Sequence, residues 1–222
     1  MMTIKDTAAR ARLLRVRALD GGARLGLTLA ITGDGQEQKE QLCVLTARLS
    51  HTPVPGELDE ATLSHLRHED ALCAALDKAL RSLAFGAGSR AGLIRKLCAK
   101  GVSATVAGEA ADELIRRGYV EERESAVRDA ERGMEKLWGD KRILADLRAK
   151  GYGEDALREA HARVLREDGA ARCRRLIEKR YAAMLTRGES PQRLITALMR
   201  YGYTTAQIRH ALRALTDEDE KG

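Results

Sequence analysis

The sequence predicts a mainly α-helical protein. Three tandem three-helix repeats, helix-turn-helix-like in their proportions, are expected to form an elongated curved array preceded by a small β-rich N-terminal module. Two observations predict this fold. Similar stretches end at Gly101, Gly151 and Gly202, and these glycines lie 50 and 51 positions apart. Aromatic residues make up only 3% of the 222 residues, so the core must consist of Leu- and Ala-rich helix packing.

The recurring stretch has the chemistry of a short helix that ends at a glycine. Each copy carries two large aliphatic residues four positions apart, which therefore lie on one face of a helix. These pairs are Leu93 and Leu97, Ile143 and Leu147, and Leu194 and Leu198. A basic residue near the helix end complements the helix dipole, and the glycine fits the left-handed conformation that ends a helix. Amphipathic segments before and after each copy complete a three-helix unit.

This pattern divides the chain into five parts. Residues 1–56 form the β-rich module, 57–120 a linker helix and the first repeat, 121–167 the second repeat, 168–216 the third repeat, and 217–222 an acidic tail. The clearest break lies at residues 52–56, where two prolines and a glycine interrupt regular structure.

The N-terminal module is predicted from short alternating patterns. Residues 1–17 carry five cations and one acid, which is typical of either a nucleic-acid arm or the polar edge of a strand. We favour a strand from about Leu13 onward. Turn signals at residues 20–22 and 33–35 enclose a run in which large aliphatic residues alternate with smaller ones. The next apolar run, residues 42–49, fits either a strand or a helix.

Two aspartates are expected to begin helices before the first repeat. Asp59 precedes a short helical pattern that includes Leu63 and Leu66, so it is a candidate N-cap. Asp70 is a candidate cap for a second, longer helix that ends near Leu83. From there to about Leu215 the pattern is helical, and the acidic tail is expected to be solvated.

Composition limits the class of protein and its partners. No apolar run approaches the length of a membrane span, and the N-terminal residues lack an apolar signal core, so we expect a cytoplasmic protein without a membrane partner. The net charge of +6 indicates an acidic partner, either nucleic acid or an acidic protein groove. The four cysteines are far apart in the sequence, which favours reduced thiols over zinc ligands or disulfides.

The sequence contains motifs that are associated with cofactor or metal binding, but the residues around them do not support a catalytic site. Residues 86–91 fit a G-x-G-x-x-A dinucleotide fingerprint, but an amphipathic helix precedes them where the fingerprint requires a strand. We interpret the glycines as a helix end and Ser89 as the cap of the next helix. His65 and His68 are spaced like a metal-binding pair or like a solvated helix face. We therefore expect no enzyme activity, no cofactor and no metal site.

Basic residues are the remaining candidates for binding. They recur at similar places in the three repeats, so stacked repeats would place them along one side, where they would attract phosphates or a polyanionic assembly. These candidates are Arg90, Arg95, Lys96, Lys100, Arg116, Arg117, Lys141, Arg142, Arg148, Lys150, Arg172, Arg174, Arg175, Lys179, Arg180, Arg193 and Arg200. A solvated face balanced by nearby acids is the alternative interpretation.

Three classes of function fit repeats of this kind. A sequence-specific helix-turn-helix DNA-binding transcriptional regulator has the right proportions, but it usually needs one recognition helix and often a symmetric dimer. Three linked copies with Ala-rich last helices fit an extended docking surface better. A helical scaffold without a dedicated partner is the third possibility.

Several motifs resemble the RecX family. The first repeat is similar to it over residues 79–84 and at Ser89 and Arg90, then at Leu93, Leu97, Lys100 and Gly101. Residues 114–123 resemble the family's link between repeats, and residues 146–152 resemble its second-repeat signature. Residues 56–59 are similar to longer members, which carry a β-rich extension. Gly92 and Glu122 depart from the residues usual in the family, which are Glu and Asp.

The resemblance implies a non-enzymatic regulator of the RecA recombinase that acts in DNA repair, homologous recombination and the SOS response. Family members dock into or along the RecA–DNA filament and depress ATP hydrolysis, strand exchange and co-protease activity. The basic candidates are then expected to meet acidic recombinase residues, phosphates of single- or double-stranded DNA, or both. We expect a monomer.

Overall fold

The computed structural model describes residues 10–33, 36–83, 88–186 and 191–219. The chain folds as two compact units. The first comprises residues 1–86 and 93–116, and the second comprises residues 87–92 and 117–222. Several features of the sequence fall outside the described residues, namely Lys5, most of the turn at residues 33–35, Gly86 and the end of the acidic tail.

A four-stranded antiparallel sheet belongs to the first unit. The strands are β1 (Arg10–Leu19), β2 (Arg24–Gly33), β3 (Gln36–Leu45) and β4 (Gly56–Leu58), in the order β3-β2-β1-β4. The first strand thus begins at Arg10, earlier than Leu13. The ambiguous run at residues 42–49 ends β3 and continues into a 3-10 turn at Thr46–Arg48.

The helix α1 (Glu60–Leu83) packs on the sheet. Its Leu63 and Leu66 join a buried cluster with strand residues such as Leu27 and Val44. The Asp59 carboxylate accepts the Thr62 backbone N–H at 2.7 Å, so the predicted N-cap is confirmed. The predicted second cap is wrong, because α1 is continuous through Asp70.

Asp70 has a different role from the one predicted. Its carboxylate accepts the backbone N–H of Cys43 at 2.7 Å, which satisfies a donor on the outer edge of β3. A helical aspartate thus stabilises the sheet edge instead of starting a helix.

Nine further helices follow α1 in the described chain. They are α2 (Arg90–Ala99), α3 (Ala104–Arg116), α4 (Glu122–Glu135), α5 (Asp140–Lys150), α6 (Glu154–Leu165), α7 (Gly169–Arg180), α8 (Ala182–Thr186), α9 (Pro191–Arg200) and α10 (Thr205–Asp219). Gly101, Gly151 and Gly202 have φ angles of 80°, 79° and 94°, which confirms the predicted left-handed conformation. Helix α10 extends into the predicted tail as far as Asp219.

The described residues of the second unit form helices and connecting turns without a strand, and they contain two buried clusters. One joins α4, α5 and α6 through residues that include Ala130, Leu147 and Ala160. The other joins α7, α9 and α10 through residues that include Leu176 and Leu198. Among the described residues, no helix combines the length and the hydropathy that crossing a bilayer requires.

Candidate partner-binding surface

A close approach of two backbone turns organises the surface of the second unit. The Gly139 N–H, at the start of α5, donates to the Tyr201 carbonyl at 2.7 Å. The Lys141 N–H donates to the Gly202 carbonyl at 3.2 Å. A Cβ atom at position 139 would overlap the Gly202 carbonyl group, so only glycine fits there. We call this contact the second junction.

Arg172 lies buried beneath the second junction. Its Nε donates to the Trp138 carbonyl at 3.0 Å, and its guanidinium forms an ion pair with Asp140. The other Asp140 carboxylate oxygen accepts a hydrogen bond from Gln207 Nε2 at 2.7 Å. The Arg172 side chain is 0% exposed, so this predicted partner contact is wrong: Arg172 stabilises the fold.

The start of α10 fixes Gln207 in this network. The Thr204 N–H donates to Gln207 Oε1 at 2.9 Å, and the Gln207 N–H donates to Thr204 Oγ1 at 3.2 Å. This reciprocal pair is a capping box. Because the cap holds the Gln207 amide in place, its Nε2 group is oriented toward Asp140.

Cations and aromatic rings meet at the surface above the second junction. The Arg142 guanidinium lies 4.4 Å from the Trp138 ring centroid and 5.4 Å from that of Tyr201. Arg180 lies 5.9 Å from the Tyr201 ring centroid and donates to the Tyr201 hydroxyl at 2.7 Å. Lys136 lies 5.1 Å from the Trp138 ring. We call these five residues the cation–aromatic cluster.

The cation–aromatic cluster is suited to binding an anion. All three cations are exposed, while both rings are partly buried. Cation–π contacts orient the guanidinium groups without neutralising them. A guanidinium group that is already held against an aromatic ring loses less side-chain entropy on binding a carboxylate or phosphate than a freely rotating one does. Its planar donors also suit bidentate binding.

A first junction lies between the start of α2 and the end of α5. Ser89 Oγ accepts the Gly92 N–H at 3.0 Å, which confirms the predicted cap. The same hydroxyl donates to the Lys150 carbonyl at 2.7 Å, and the Arg90 N–H donates to the Glu122 carboxylate at 2.5 Å. All of these contacts lie within the second unit.

Acids neutralise the cation at the first junction. Lys150 Nζ lies 3.0 Å from Asp129 and 2.9 Å from Asp146. Burial opposes the Lys150 charge, but the hydrogen bonds to Asp146 and Asp129 outweigh it, so the pKa of Lys150 is raised. Burial likewise opposes ionisation of Asp129, yet Lys150, Tyr152 and Arg132 hold its pKa below the usual range. Lys150 is therefore less available to a partner than Arg142.

The other predicted basic residues are distributed over both units. In the first unit, Lys100 Nζ donates to Ser82 Oγ at 2.7 Å and Arg116 forms an ion pair with Glu113. In the second unit, Arg174 lies 3.5 Å from Glu178 and Arg175 forms an ion pair with Glu167. Arg90, Arg95 and Arg117 are exposed and Lys96 is partly buried.

Besides Arg142 and Arg180, five of the predicted cations in the second unit are exposed and make no ion pair within the described part of the chain. They are Lys141, Arg148, Lys179, Arg193 and Arg200. Arg142 and Arg180 of the predicted set share the Tyr201 ring. A continuous row of cations along all three repeats therefore stays a prediction.

One of the two histidines considered for a metal site, His68, has a carboxylate neighbour. His68 Nε2 lies 3.0 Å from the Glu109 carboxylate of α3, in the first unit. Across residues 10–33, 36–83, 88–186 and 191–219, no group of three His, Cys, Asp or Glu side chains is arranged to hold a metal ion.

The fold and the surface define a class: a mainly helical, basic protein with a small N-terminal sheet, whose candidate binding surface lies where helix turns meet. No family model matches the chain. The chain is similar to a curated protein named regulatory protein RecX from Pelodictyon phaeoclathratiforme (strain DSM 5477 / BU-1). The two are 30% identical over 154 residues, which span 66% of this chain and 94% of the relative. The chain belongs to the RecX family.

Solved structures agree with this assignment at the level of the fold. A crystal structure of regulatory protein RecX matches 91% of this chain and 99% of its own with a TM-score of 0.67, at 19% identity. A crystal structure of RecX from Lactobacillus salivarius matches 66% of this chain and 97% of its own with a TM-score of 0.56, also at 19% identity. The first match, which covers nearly the whole chain, supports the architecture of helices preceded by a small sheet.

Proposed function

We propose that this protein binds the RecA–DNA filament and regulates the recombinase, mostly by inhibition, without being an enzyme. The observation that carries the proposal is the relationship to a RecX protein at 30% identity over 94% of that relative's length. The proposed activities are repression of ATP hydrolysis, strand exchange and co-protease function. The proposed setting is the cytoplasm, in DNA repair and the SOS response.

The proposal includes a threefold repeat, in which α1–α3, α4–α6 and α7–α10 are equivalent. Three features support it. Gly101, Gly151 and Gly202 share one backbone conformation. The two junctions use carbonyl groups 51 positions apart, those of Lys150 and Tyr201. Each junction also places the start of one repeat's middle helix against the end of the next repeat's middle helix. We propose the boundaries 57–120, 121–167 and 168–216 for these repeats.

The proposed contact surface is the cation–aromatic cluster together with nearby exposed cations such as Lys141 and Lys179. Acidic side chains of the recombinase and DNA phosphates both offer the paired anionic oxygens that the guanidinium groups of Arg142 and Arg180 suit. Charge complementarity accelerates the encounter and favours acidic partners over basic ones. Regulation through such a surface requires no catalytic group.

A recombinase ATPase assay tests the proposed function. The purified chain is added in increasing amounts to RecA recombinase on single-stranded DNA, and ATP turnover is measured. We expect turnover to fall as the chain approaches stoichiometry with the recombinase. Unchanged turnover at stoichiometric protein contradicts the proposal. Binding to bare duplex with a strong preference for one sequence would instead support the transcriptional regulator considered from the sequence.

A further inference from the structure

A β-bulge places four arginines on one face of the sheet. In the pairing of β1 with β2, Leu13 lies opposite Leu29 and Arg15 lies opposite Thr28, so Leu14 is an extra residue. Before the bulge, even-numbered residues of β1 face away from the core; after it, odd-numbered residues do. As a result Arg10, Arg12, Arg15 and Arg17 share one face, which we call the arginine face.

The register defines what surrounds these arginines. Residues directly opposite each other across a strand pair share a face, so Thr32, Ala30, Thr28 and Gly26 of β2 lie on the arginine face. The next strand adds Glu37, Lys39, Gln41 and Cys43, and β4 adds Glu57 opposite Arg12. The opposite face carries the buried leucines of the first unit's core, including Leu27 and Leu29.

The four arginines are available to a ligand. All are exposed, and none makes an ion pair or a side-chain hydrogen bond within the described part of the chain. By contrast, Arg24 on the neighbouring strand donates to both Asp77 carboxylate oxygens at 2.7 and 2.9 Å. With Lys39, the arginine face has five cations against two acids, Glu37 and Glu57.

We propose that the arginine face binds the phosphodiester backbone of duplex nucleic acid. Its cations alternate along one strand at roughly 6–7 Å intervals, which follow from a rise of about 3.3 Å per residue. Such a row suits a linear polyanion, and the threonine hydroxyls beside it are further donors to phosphate oxygens. This site goes beyond recombinase regulation, because it needs no recombinase.

Two features favour nucleic acid over an acidic protein. Leu14 at the bulge is 38% exposed, and among the described residues it is the one exposed large apolar side chain on the face. Leu19 and Leu45 lie at the end of the face near Arg24, but Leu19 is partly buried and Leu45 is buried, so the face offers little apolar surface to anchor a protein interface. Its β2 residues are small, so a sugar–phosphate backbone can approach closely. No aromatic side chain lies on the face for bases to stack on, so a duplex with its higher charge density is favoured over a single strand.

Salt dependence of binding tests this proposal on the full chain. Arg10, Arg12, Arg15 and Arg17 are replaced by Gln, and affinity for a fluorescent random-sequence duplex is measured between 50 and 200 mM salt without recombinase. Each lost phosphate contact should reduce the slope of log K against log salt by about 0.9, hence by about 3–4 in total. Affinity near 100 mM salt should fall on the order of tenfold or more.

A matched control removes the same number of charges elsewhere. Replacing Arg158, Arg166, Arg209 and Arg213, all exposed in the second unit, by Gln should leave the slope unchanged. Equal losses in both variants would attribute binding to net charge and overturn the proposal, as would no loss in the first variant. Replacing the four face arginines by Lys should retain most of the slope, whereas loss in this variant too would contradict phosphate binding by charge.

Two further measurements separate the proposal from its competitors. Glu57→Gln removes the acid opposite Arg12 and should tighten duplex binding, while weaker binding would contradict the site. Polyglutamate that binds as tightly as the duplex, with the same loss in the Gln variant, would overturn the choice of nucleic acid. The Gln variant should still inhibit recombinase ATPase through the helical surface, so failure of either proposal leaves the other standing.

Discussion

Arg172 is a charged residue whose side chain is fully buried. Asp140 pairs with this charge, the Trp138 carbonyl accepts from it, and Glu167 lies 3.6 Å away. The Nη1 atom of Arg172 has no hydrogen-bond partner among the described residues. The ion pairs must therefore offset much of the desolvation free energy of the buried guanidinium group. The residue is therefore a sensitive point of the fold.

Replacing Arg172 by Met should lower the free energy of unfolding by about 3–5 kcal/mol, because Asp140 then loses the cation that compensates its partly buried charge. Urea unfolding followed by circular dichroism measures this change. Arg175→Met is the matched control: Arg175 lies on the same helix, is 56% exposed and should contribute about 0–1 kcal/mol. Similar urea midpoints for the two variants would contradict the structural role of Arg172.

The four cysteines should differ in reactivity because burial suppresses the thiolate. Burial raises the pKa of Cys73 to about 12, with a further contribution from Cys43, and burial raises the pKa of Cys173 to about 12. Cys98 is exposed. Iodoacetamide at pH 8 should therefore label Cys98 in the native protein and leave Cys73 and Cys173 unmodified, as read by mass spectrometry.

Labelling in denaturant is the control for this experiment, since all thiols should then react. Rapid modification of Cys173 in the native protein would show that the core of α7 is open to solvent.

At the scale of helices, two glycines provide a matched test of the second junction. Gly139 and Gly153 both precede a helix, with φ and ψ of −75° and 160° and of −71° and 163°. These angles suit alanine equally well at both sites. A Cβ at 139 would overlap the Gly202 backbone, whereas at 153 it would meet only Glu122 Oε2 at 3.6 Å.

Gly139→Ala should therefore lower the free energy of unfolding by about 1–3 kcal/mol or more, as overpacking does. Gly153→Ala should change stability little. Thermal unfolding of the two variants in parallel gives the comparison. Equal melting temperatures would mean that the turns at the second junction separate without cost.

Helix α5 should depend on its buried leucine. Leu147 is 0% exposed and lies in the cluster that joins α4, α5 and α6. Leu147→Ala should destabilise the protein by about 2–5 kcal/mol through lost burial and the cavity that remains. Arg148→Ala, on the exposed side of the same helix, should have little effect on urea unfolding. An unchanged urea midpoint for Leu147→Ala would contradict its place in the core.

Elements whose signal is local can be predicted from the sequence. The left-handed glycines and the caps at Asp59 and Ser89 depend on a few neighbouring residues, and the structure confirms them. The role of Asp70 cannot be predicted locally, because its partner, the Cys43 N–H, lies 27 positions away. The run at residues 42–49 was ambiguous because a short apolar segment fits both a strand and a helix.

The candidate surface could be predicted only in part for the same reason. Arg142 and Arg180 were recognisable as basic residues, but their common partner Tyr201 is brought to them by the fold. The burial of Arg172 depends on Asp140, which lies 32 positions away. The bulge at Leu14 had no recognised signal, although the unequal spacing of Arg10, Arg12, Arg15 and Arg17 would have indicated it.

At the scale of the whole molecule, the cation–aromatic cluster should govern recombinase regulation. Replacing Arg142 and Arg180 by Gln removes two oriented charges from an exposed site, so inhibition of recombinase ATPase should require several-fold more protein. Arg158 and Arg166 replaced by Gln form the control, with the same loss of charge on the same unit. Equal inhibition by both double variants would exclude the cluster as the contact surface.

Peptide groups make the principal bonds of the second junction, from Gly139 to Tyr201 and from Lys141 to Gly202, whereas the first junction pairs the Lys150 carbonyl with the Ser89 hydroxyl and the Arg90 N–H with the Glu122 carboxylate. Every amino acid except proline supplies the same backbone N–H and C=O groups. Most side chains can therefore change during evolution while the backbone hydrogen bonds of the second junction are retained. A TM-score of 0.67 at 19% identity fits that expectation. Distant homologues of this protein should thus be recognised by the regular spacing of their glycines more readily than by sequence identity.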